Sequence, residues 1–203
     1  WEMGFSRILL IADGNHSTMK NKSKMASRRT ILGLITAASA FAFITLMGQL
    51  SLSSDDLSDR DKRQKVTDMY NGYKKQFPAV HDISAQKVMA LMAEGNTVFI
   101  DIREPREQQV SMLPGAITEK EFINNPAKYK DAVKIAYCTI SYRSGKFAQK
   151  LQKKGIPVYN LSGGMLAWVH DGGKVYDPNG ETHRIHVYGR KWNLAPKRYQ
   201  AVW

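Results

Sequence analysis

Short apolar runs alternate with amphipathic stretches between positions 80 and 170, and this alternation restricts the possible folds more than any other feature of the 203-residue chain. Apolar residues that recur every three or four positions indicate helices, whereas brief continuous apolar runs indicate buried strands. We predict strands at 80–83, 98–102, 116–118, 133–137 and 158–161. We predict helices at 84–94, 105–110, 119–130 with a break at Pro126, 143–154 and 164–170. Such alternation predicts an α/β fold in which helices cover both faces of a mostly parallel sheet.

The only cysteine, Cys138, lies between the predicted strand 133–137 and the predicted helix 143–154. A strand-to-helix turn places the sulfur near the positive end of the helix and near backbone N–H groups without intrahelical partners, and both stabilise a thiolate. Arg143 adds a positive charge that can turn toward the sulfur or toward a bound anion. A lone cysteine is more often a small buried hydrophobic residue. The polar loop and the arginine at the helix start favour a reactive thiol instead.

The sequence around Cys138 has the pattern Cys-x4-Arg-Ser, completed by Arg143 and Ser144. Three further segments are Val-Phe-Ile-Asp-Ile-Arg at 98–103, Leu-Pro-Gly-Ala-Ile at 113–117 and Leu-Ser-Gly-Gly-Met-Leu-Ala-Trp at 161–168. Together the four motifs resemble, in the same order, those of the rhodanese (sulfurtransferase) family, and the resemblance covers about residues 79–175. The sequence departs from the family at Ser111 and Met112, where Gly-His is common.

The resemblance implies a rhodanese-like domain with a central, mostly parallel sheet covered by helices on both faces, and a sulfurtransferase activity that needs no cofactor or metal. Cys138 would take sulfur from a small anionic donor such as thiosulfate, hold it as a persulfide, and pass it to a thiol or cyanide. The substrate-binding loop would consist of Thr139, Ile140, Ser141, Tyr142, Arg143 and Ser144. The supporting residues would be Asp101, Arg103 and Trp168. Ile140 and Tyr142 make this loop bulkier than Gly-containing versions, so we expect them to restrict access to the sulfur.

Two other functions stay open. Related cysteine phosphatases of this fold have one more loop residue, Cys-x5-Arg, so the four residues between Cys138 and Arg143 favour sulfur over phosphoryl chemistry. A rhodanese-like module without catalysis, which only binds a partner protein, is the second alternative. The presence of both Cys138 and Arg143 argues against it. Because Cys138 has no second cysteine in the chain, a persulfide must be discharged to another molecule.

The N-terminal part of the chain predicts a signal or anchor helix. Residues 31–52 carry no charge, and at ~1.5 Å per residue they could cross a hydrocarbon core of about 30 Å. Segment 1–30 is basic and acidic residues follow the span, so we expect the C-terminal part to face the periplasm or the outside. An uncleaved membrane anchor is favoured, and cleavage would instead release the domain into the periplasm. Alkaline phosphatase is active only when it is exported, so its fusion after Trp203 tests this placement. Segment 27–32 resembles a twin-arginine export signal, and Met19 or Met25 is a plausible true start.

Two flanking segments complete the chain. In segment 53–78, a charged helical spacer, four apolar or aromatic residues share one helical face, which predicts packing against the domain or, less commonly, against a membrane surface. Segment 176–203 mixes basic and aromatic residues, as nucleic-acid or lipid surfaces do, but packing over the domain is the favoured interpretation and a nucleic-acid partner is not expected. His183 and His186 lack a third ligand at a recognisable spacing, so no metal site is predicted.

Overall fold

The computed structural model describes residues 57–203. The predicted basic segment 1–30, the predicted membrane helix 31–52 and the first residues of the spacer lie outside the described residues. Among residues 57–203, each helix is too short or too polar to span a bilayer.

Five parallel strands form the central sheet, in the spatial order β1-β5-β4-β2-β3. They are β1 (Asp82–Ile83), β2 (Thr97–Asp101), β3 (Ile117–Thr118), β4 (Val133–Tyr137) and β5 (Tyr159–Leu161). The two longest strands, β2 and β4, lie side by side at the centre, with Thr97 paired to Val133 and Asp101 paired to Tyr137. The prediction of an α/β fold with a parallel sheet is therefore confirmed, and the carboxyl end of β4 leads directly to Cys138.

The helices follow the strands in the predicted alternation. They are α1 (Asp59–Lys74), α2 (Ala85–Met92), α3 (Pro105–Val110), α4 (Glu119–Asn124), α5 (Tyr142–Gln152) and α6 (Gly164–His170). The hydroxyl of Ser84 caps α2 by accepting a hydrogen bond from the Lys87 N–H. The stretch predicted at 119–130 divides before Pro126, which begins a 3₁₀ turn at Pro126–Tyr129, because a proline disfavours helical geometry in the residue before it.

Apolar side chains fill both faces of the sheet, since successive residues of a strand point to opposite sides. On β2, Phe99 belongs to the cluster on one face and Ile100 to the cluster on the other. The first cluster also contains Val66 of α1, and the second contains Phe77, which is fully buried just after that helix. Residues 59–77 therefore pack against the domain, the more usual of the two arrangements that their helical spacing allowed.

The C-terminal segment also packs over the domain. It forms β6 (Val175–Asp177), β7 (Gly180–Thr182), β8 (Arg184–His186), a 3₁₀ turn (Arg190–Trp192) and β9 (Gln200–Val202). Strand β8 pairs with β9 in parallel, and Ile185 is fully buried in the first apolar cluster together with Leu194. The segment is joined to α1 by the Lys62 ammonium, which donates to the carbonyl of Ala195 at 3.2 Å. The favoured interpretation of the basic and aromatic tail, as a layer over the domain, agrees with this packing.

Candidate active site

Cys138 leaves β4 at the carboxyl edge of the sheet and is 2% exposed. The loop that follows turns sharply at Ser141, the one non-glycine residue among 57–203 with a positive φ, at 74°. A left-handed backbone at such a residue costs about 1–2 kcal/mol. The hydroxyl of Ser141 offsets this cost by donating a hydrogen bond to the carbonyl of Leu161 at the end of β5. Helix α5 then begins at Tyr142, so the turn aims the start of this helix at the sulfur-bearing loop.

The beginning of α6 is hydrogen-bonded to the Cys138 loop. The backbone N–H of Met165 donates to the carbonyl of Cys138 at 2.9 Å, and that of Leu166 donates to the carbonyl of Thr139 at 3.2 Å. A Cβ atom at Gly164 would lie 2.3 Å from the Cys138 carbonyl oxygen, and the φ of Gly164 is +60°. The second glycine of the Gly-Gly pair is therefore required for the close approach of α6 to the loop.

The loop leaves a row of backbone donors unused. Within the described part of the chain, the N–H groups of residues 139–144 donate to no protein acceptor, although the Ser141 carbonyl accepts from the Gly145 N–H. The hydroxyl of Ser144 lies 3.7 Å from the Cys138 sulfur and donates toward it. Free N–H groups at a helix start form a natural site for an anion. The loop can therefore stabilise a thiolate, a persulfide or a bound oxyanion.

Arg143 is paired with Glu107 of α3. Its two terminal nitrogens donate to the two carboxylate oxygens at 2.7 and 2.8 Å, and its guanidinium lies 5.2 Å from the ring centre of Tyr188. The Arg143 side chain is 28% exposed, whereas that of Glu107 has no exposed surface. Two of the five guanidinium N–H donors are used in this bidentate pair, so three remain for another anion.

The carboxylate of Glu107 on α3 contacts several parts of the site. Besides Arg143, it accepts hydrogen bonds from the Glu104 N–H at 2.9 Å and from the Thr139 hydroxyl at 3.3 Å. Burial alone would raise its pKa, but the hydrogen bonds and the positive charges of Arg143 and Arg103 outweigh burial, and the pKa lies below its ordinary value. Glu107 is therefore an anion that holds the loop and its arginine together.

His186 approaches the same carboxylate from β8. Its Nδ1 atom is buried without a hydrogen-bond partner among the described residues and lies 3.9 Å from a Glu107 oxygen. Burial is the main reason that the pKa of His186 is lowered, and the charges of Arg106, Arg103 and Arg143 act in the same direction, against the attraction of Glu107. Burial and the neighbouring arginines therefore favour the neutral imidazole. Neither Glu107 nor His186 was predicted as a site residue.

Asp101 and Arg103 lie behind the site rather than in it. Both side chains are fully buried, and Arg103 donates to the two oxygens of Asp101 at 2.9 and 2.6 Å. Arg103 also donates to the Ser111 carbonyl at 2.6 Å, and the Tyr137 hydroxyl donates to Asp101 at 2.6 Å. This network ties the end of β2 to the end of β4, one residue before Cys138. The two residues therefore support the position of the loop.

Trp168 is a core residue of α6. Its ring lies edge-on to Phe99 at 5.4 Å between centroids, and its indole N–H donates to the carbonyl of Lys174 at 2.8 Å. Its contacts secure the end of α6 and the turn to β6. Like Asp101 and Arg103, Trp168 lies outside the group of loop residues 138–144 that the structure brings together.

A cavity of about 340 Å³ opens above the loop. Its base is formed by the loop, including Cys138, Thr139 and Arg143, while its walls are mostly aromatic and aliphatic. The walls contain Tyr73, Ile140, Tyr142, Leu166, Tyr188 and Trp192. Tyr73 comes from α1, and Tyr188 and Trp192 come from the C-terminal segment, so segments outside the four motifs shape the site. Within residues 57–203, no group of three or more His, Cys, Asp or Glu side chains is placed to hold a metal ion.

The comparison with protein families agrees with this architecture. Residues 84–171 match the model of the rhodanese-like domain, so the chain carries a rhodanese-like domain. The match ends before the C-terminal segment and begins after α1. The two flanks that complete the cavity therefore lie beyond the family match.

Three relatives match parts of the chain. The uncharacterized protein YqhL of Bacillus subtilis is 37% identical over 82 residues, which are 38% of this chain and 62% of that protein. A tRNA sulfurtransferase of Desulfurococcus amylolyticus is 34% identical over 76 residues, 36% of this chain and 15% of that protein. A tRNA uridine(34) hydroxylase of Buchnera aphidicola is 28% identical over 102 residues, 45% of this chain and 33% of that protein. The chain thus spans less than two thirds of the length of each of these relatives.

Proposed function

We propose that the chain is a sulfurtransferase that takes sulfane sulfur onto Cys138 and passes it to a thiophilic acceptor. The observation that carries this proposal is the combination at one loop of a thiol, a row of unused N–H donors and an open cavity above them. The similarity of part of the chain to a tRNA sulfurtransferase is in keeping with the proposal. A loop with four residues between cysteine and arginine also favours a single sulfur atom over a tetrahedral phosphoryl group.

The reaction proceeds in two displacements at the same sulfur. The Cys138 thiolate attacks the outer sulfur of a donor such as thiosulfate, the S–S bond of the donor breaks, and sulfite leaves with the bonding electrons. The product is a persulfide anion on Cys138, which the N–H groups of residues 139–144 stabilise by hydrogen bonding. A thiol or cyanide then attacks the outer sulfur of this persulfide and regenerates the thiolate. Neither displacement requires an external oxidant or reductant.

Three polar residues of the loop have roles in this mechanism. Ser144 donates toward the sulfur at 3.7 Å and favours its anionic form. Arg143 uses its remaining N–H donors to orient the negative group of the donor, while Glu107 fixes the direction of the guanidinium. Ser141 holds the turn by its bond to Leu161. The donor is thus positioned by Arg143, and the transferred sulfur is held by the backbone.

The proposal is tested by intact mass before and after exposure to thiosulfate, followed by the assay of thiocyanate when cyanide is added. We expect the wild-type protein to gain one sulfur atom and Cys138→Ser to gain none. Arg143→Ala should gain the same sulfur at least about tenfold more slowly, because the guanidinium that orients the sulfur donor is lost but the nucleophile is not. Arg60→Ala removes an arginine whose side chain is 92% exposed on α1 and should behave as wild type.

Two outcomes would contradict the proposal. If the wild-type protein and Cys138→Ser gave equal thiocyanate formation and no mass gain, the module would have no sulfur-transfer chemistry at Cys138 and a partner-binding role would be favoured. If the wild-type protein hydrolysed an aryl phosphate faster than it accepted sulfur, the loop-length argument would be wrong and a cysteine phosphatase would be favoured.

A further inference from the structure

The cavity above Cys138 has an aromatic wall that the motif-bearing part of the chain does not supply. Tyr73 is on α1, and Tyr188 and Trp192 are on the C-terminal segment. The Tyr73 ring contacts that of Tyr142 in the loop, with 5.1 Å between centroids and 53° between planes. Aromatic pairs of this kind stabilise each other by about 0.5–1.5 kcal/mol beyond the area that they bury. The two flanks therefore form a defined aromatic enclosure around the sulfur.

The walls of this enclosure suit an apolar group better than a small dianion. Among the described residues that line the cavity, Arg143 is the one cationic side chain, and it is paired with Glu107 at 2.7 and 2.8 Å. Its guanidinium also faces the ring of Tyr188. The pKa of Tyr188 is raised to about 12, chiefly by burial, so its hydroxyl is uncharged at neutral pH. Placing a doubly charged ion against such apolar walls costs free energy, because the walls do not replace the hydration that the ion loses on their side.

The size of the cavity indicates a larger ligand. Its volume of about 340 Å³ lies within the range of pockets that bind small organic molecules, roughly 300–1,000 Å³. Thiosulfate has only a sulfur and a sulfonate group, so it is too small to contact most of the aromatic walls. A ligand with an apolar body would bury those walls, and apolar burial contributes about 25 cal/mol per Å².

We propose that Tyr73, Tyr188 and Trp192 bind the apolar organic body of the sulfur donor, and that the preferred donor is an aryl or alkyl persulfide or thiosulfonate with at most one negative charge. This inference rests on the proposed function, because it names the substrate class of the same site. The three residues determine specificity. Cys138 remains the nucleophile and Arg143 the partner of the single negative group.

The transfer from such donors balances without a further reagent. The Cys138 thiolate attacks the outer sulfur of R–S–SH, the S–S bond of the donor breaks, and the thiolate R–S⁻ leaves, so the product is Cys138–S–SH. With R–SO₂–S⁻, the leaving group is the sulfinate R–SO₂⁻ and the product is the persulfide anion. In both cases the organic group R lies in the aromatic enclosure during the attack.

Two donors that differ only in R test the inference. Benzenethiosulfonate and methanethiosulfonate carry the same reacting group and the same single charge, and the rate of sulfur gain by intact mass reports the donor step alone. We expect the benzene compound to react at least about tenfold faster at subsaturating concentration, since differences of this size follow from small changes of apolar contact in a pocket. Inorganic thiosulfate serves as the third donor.

Variants of the wall then assign the preference to its residues. Tyr188→Ala should lower the ratio of the benzene rate to the methane rate about threefold to tenfold, and Trp192→Ala should do the same. Since Tyr188 is half exposed, with 49% of its surface accessible, its replacement leaves the core intact. Trp192 packs against the first apolar cluster, so its loss could affect folding. The thermal unfolding of its variant is therefore measured in parallel, and Trp192→Phe, which keeps an aromatic ring, is included. Trp203→Ala, which removes an aromatic residue that is 61% exposed at the chain end, should leave the ratio unchanged.

The result separates this inference from the function on which it rests. Equal rates for the two thiosulfonates, or a ratio that Tyr188→Ala does not lower, would overturn the aromatic specificity. Sulfur gain from thiosulfate would in that case still support the sulfurtransferase function. Sulfur gain from none of the three donors would overturn both. A high ratio in the wild-type protein and in Trp203→Ala, with a low ratio in Tyr188→Ala, supports the assignment.

Discussion

Glu107 connects several parts of the site near Cys138. It is fully buried, closes the capping box of α3 through the Glu104 N–H, and accepts from both Arg143 and Thr139. Opposite charges in a buried pair stabilise a structure only when both are present, because either one alone remains poorly solvated. The orientation of Arg143 therefore depends on Glu107 as much as on α5.

Replacing Glu107 with glutamine should weaken both the fold and the site. Glu107→Gln preserves the shape of the side chain but leaves the half-buried Arg143 without its counter-charge, so we expect a loss of about 1–3 kcal/mol in the free energy of unfolding. Sulfur gain from thiosulfate should slow, because Arg143 is no longer held in one direction. Urea unfolding and the mass assay measure the two effects, with the exposed Glu94→Gln as control. An unchanged stability would show that the pair contributes nothing to the folded state.

Glu107 also makes the free energy of unfolding depend on pH in a defined direction. Burial opposes ionisation of Glu107, but its hydrogen bonds and the neighbouring arginines prevail and lower its pKa below the ordinary 4.5. Because the folded state binds this proton less readily than the unfolded state, the stabilisation is fully present above about pH 4.5 and is lost as the pH falls through the folded pKa. We expect the stability difference between wild type and Glu107→Gln, measured by urea unfolding from neutral pH to pH 3, to shrink only in that acidic range. A difference that is constant with pH would contradict the assignment.

Helix α5 is held in place by the segment that precedes the family-matched part of the chain. A Cβ atom at Gly145, in the first turns of α5, would lie 2.3 Å from the ring of Phe77, and Phe77 is fully buried. This close approach brings the end of the α1 segment directly against the helix that carries Arg143 and Ser144. The absence of a side chain at Gly145 is therefore a packing requirement.

Two glycine substitutions should have opposite effects on stability. Gly145→Ala should destabilise the protein by about 1–3 kcal/mol, because the buried Phe77 ring cannot move away without disturbing the core. Gly72→Ala on α1 meets no atom within 4 Å and should stabilise by about 0.5–1 kcal/mol, since alanine is the better helix former. Thermal and urea unfolding of the two variants decide the point. Stabilisation by both would show that helix propensity outweighs the contact with Phe77.

At the scale of the whole molecule, the flanks complete both the core and the cavity. Val66 is 1% exposed, Ile185 and Val187 are fully buried and Leu194 is 3% exposed, yet all four lie outside the family-matched residues 84–171. Burying such side chains contributes about 1.5–3 kcal/mol each. Together they are comparable to the whole stability of an ordinary domain, about 5–15 kcal/mol.

A fragment limited to residues 79–175 should therefore fail to fold as a stable domain. Without α1 and the C-terminal segment, the apolar surface under both flanks is exposed to water, and we expect no cooperative thermal unfolding and strong binding of a hydrophobic dye. Residues 57–203 should unfold cooperatively in the same experiment. Cooperative unfolding of the short fragment, with sulfur gain at Cys138, would show that the flanks are accessory.

Much of the fold and the centre of the site could be predicted from the sequence because their signals are local. The run from Val133 to Tyr137, the turn at Cys138 and the helix that follows are recognisable from neighbouring residues, and the structure has the strand at the predicted bounds and the helix start within one residue of the predicted position. The capping hydroxyl of Ser84 is equally local. Apolar periodicity and caps act over a few positions, so the chain itself determines these elements.

Only the tertiary structure decides what surrounds Cys138. Arg143 and Glu107 are 36 positions apart, and the walls of the cavity join Tyr73 to Tyr188 across more than half of the chain. Aromatic residues at helical spacing or in a basic tail pack in many ways, because burial of apolar surface is not directional. Which rings meet above the sulfur depends on how α1 and the C-terminal segment pack against the sheet. The sequence by itself determined the strands, the helices and the reactive loop, whereas the partner of Arg143 and the aromatic enclosure follow from contacts that form only when the distant segments are folded together.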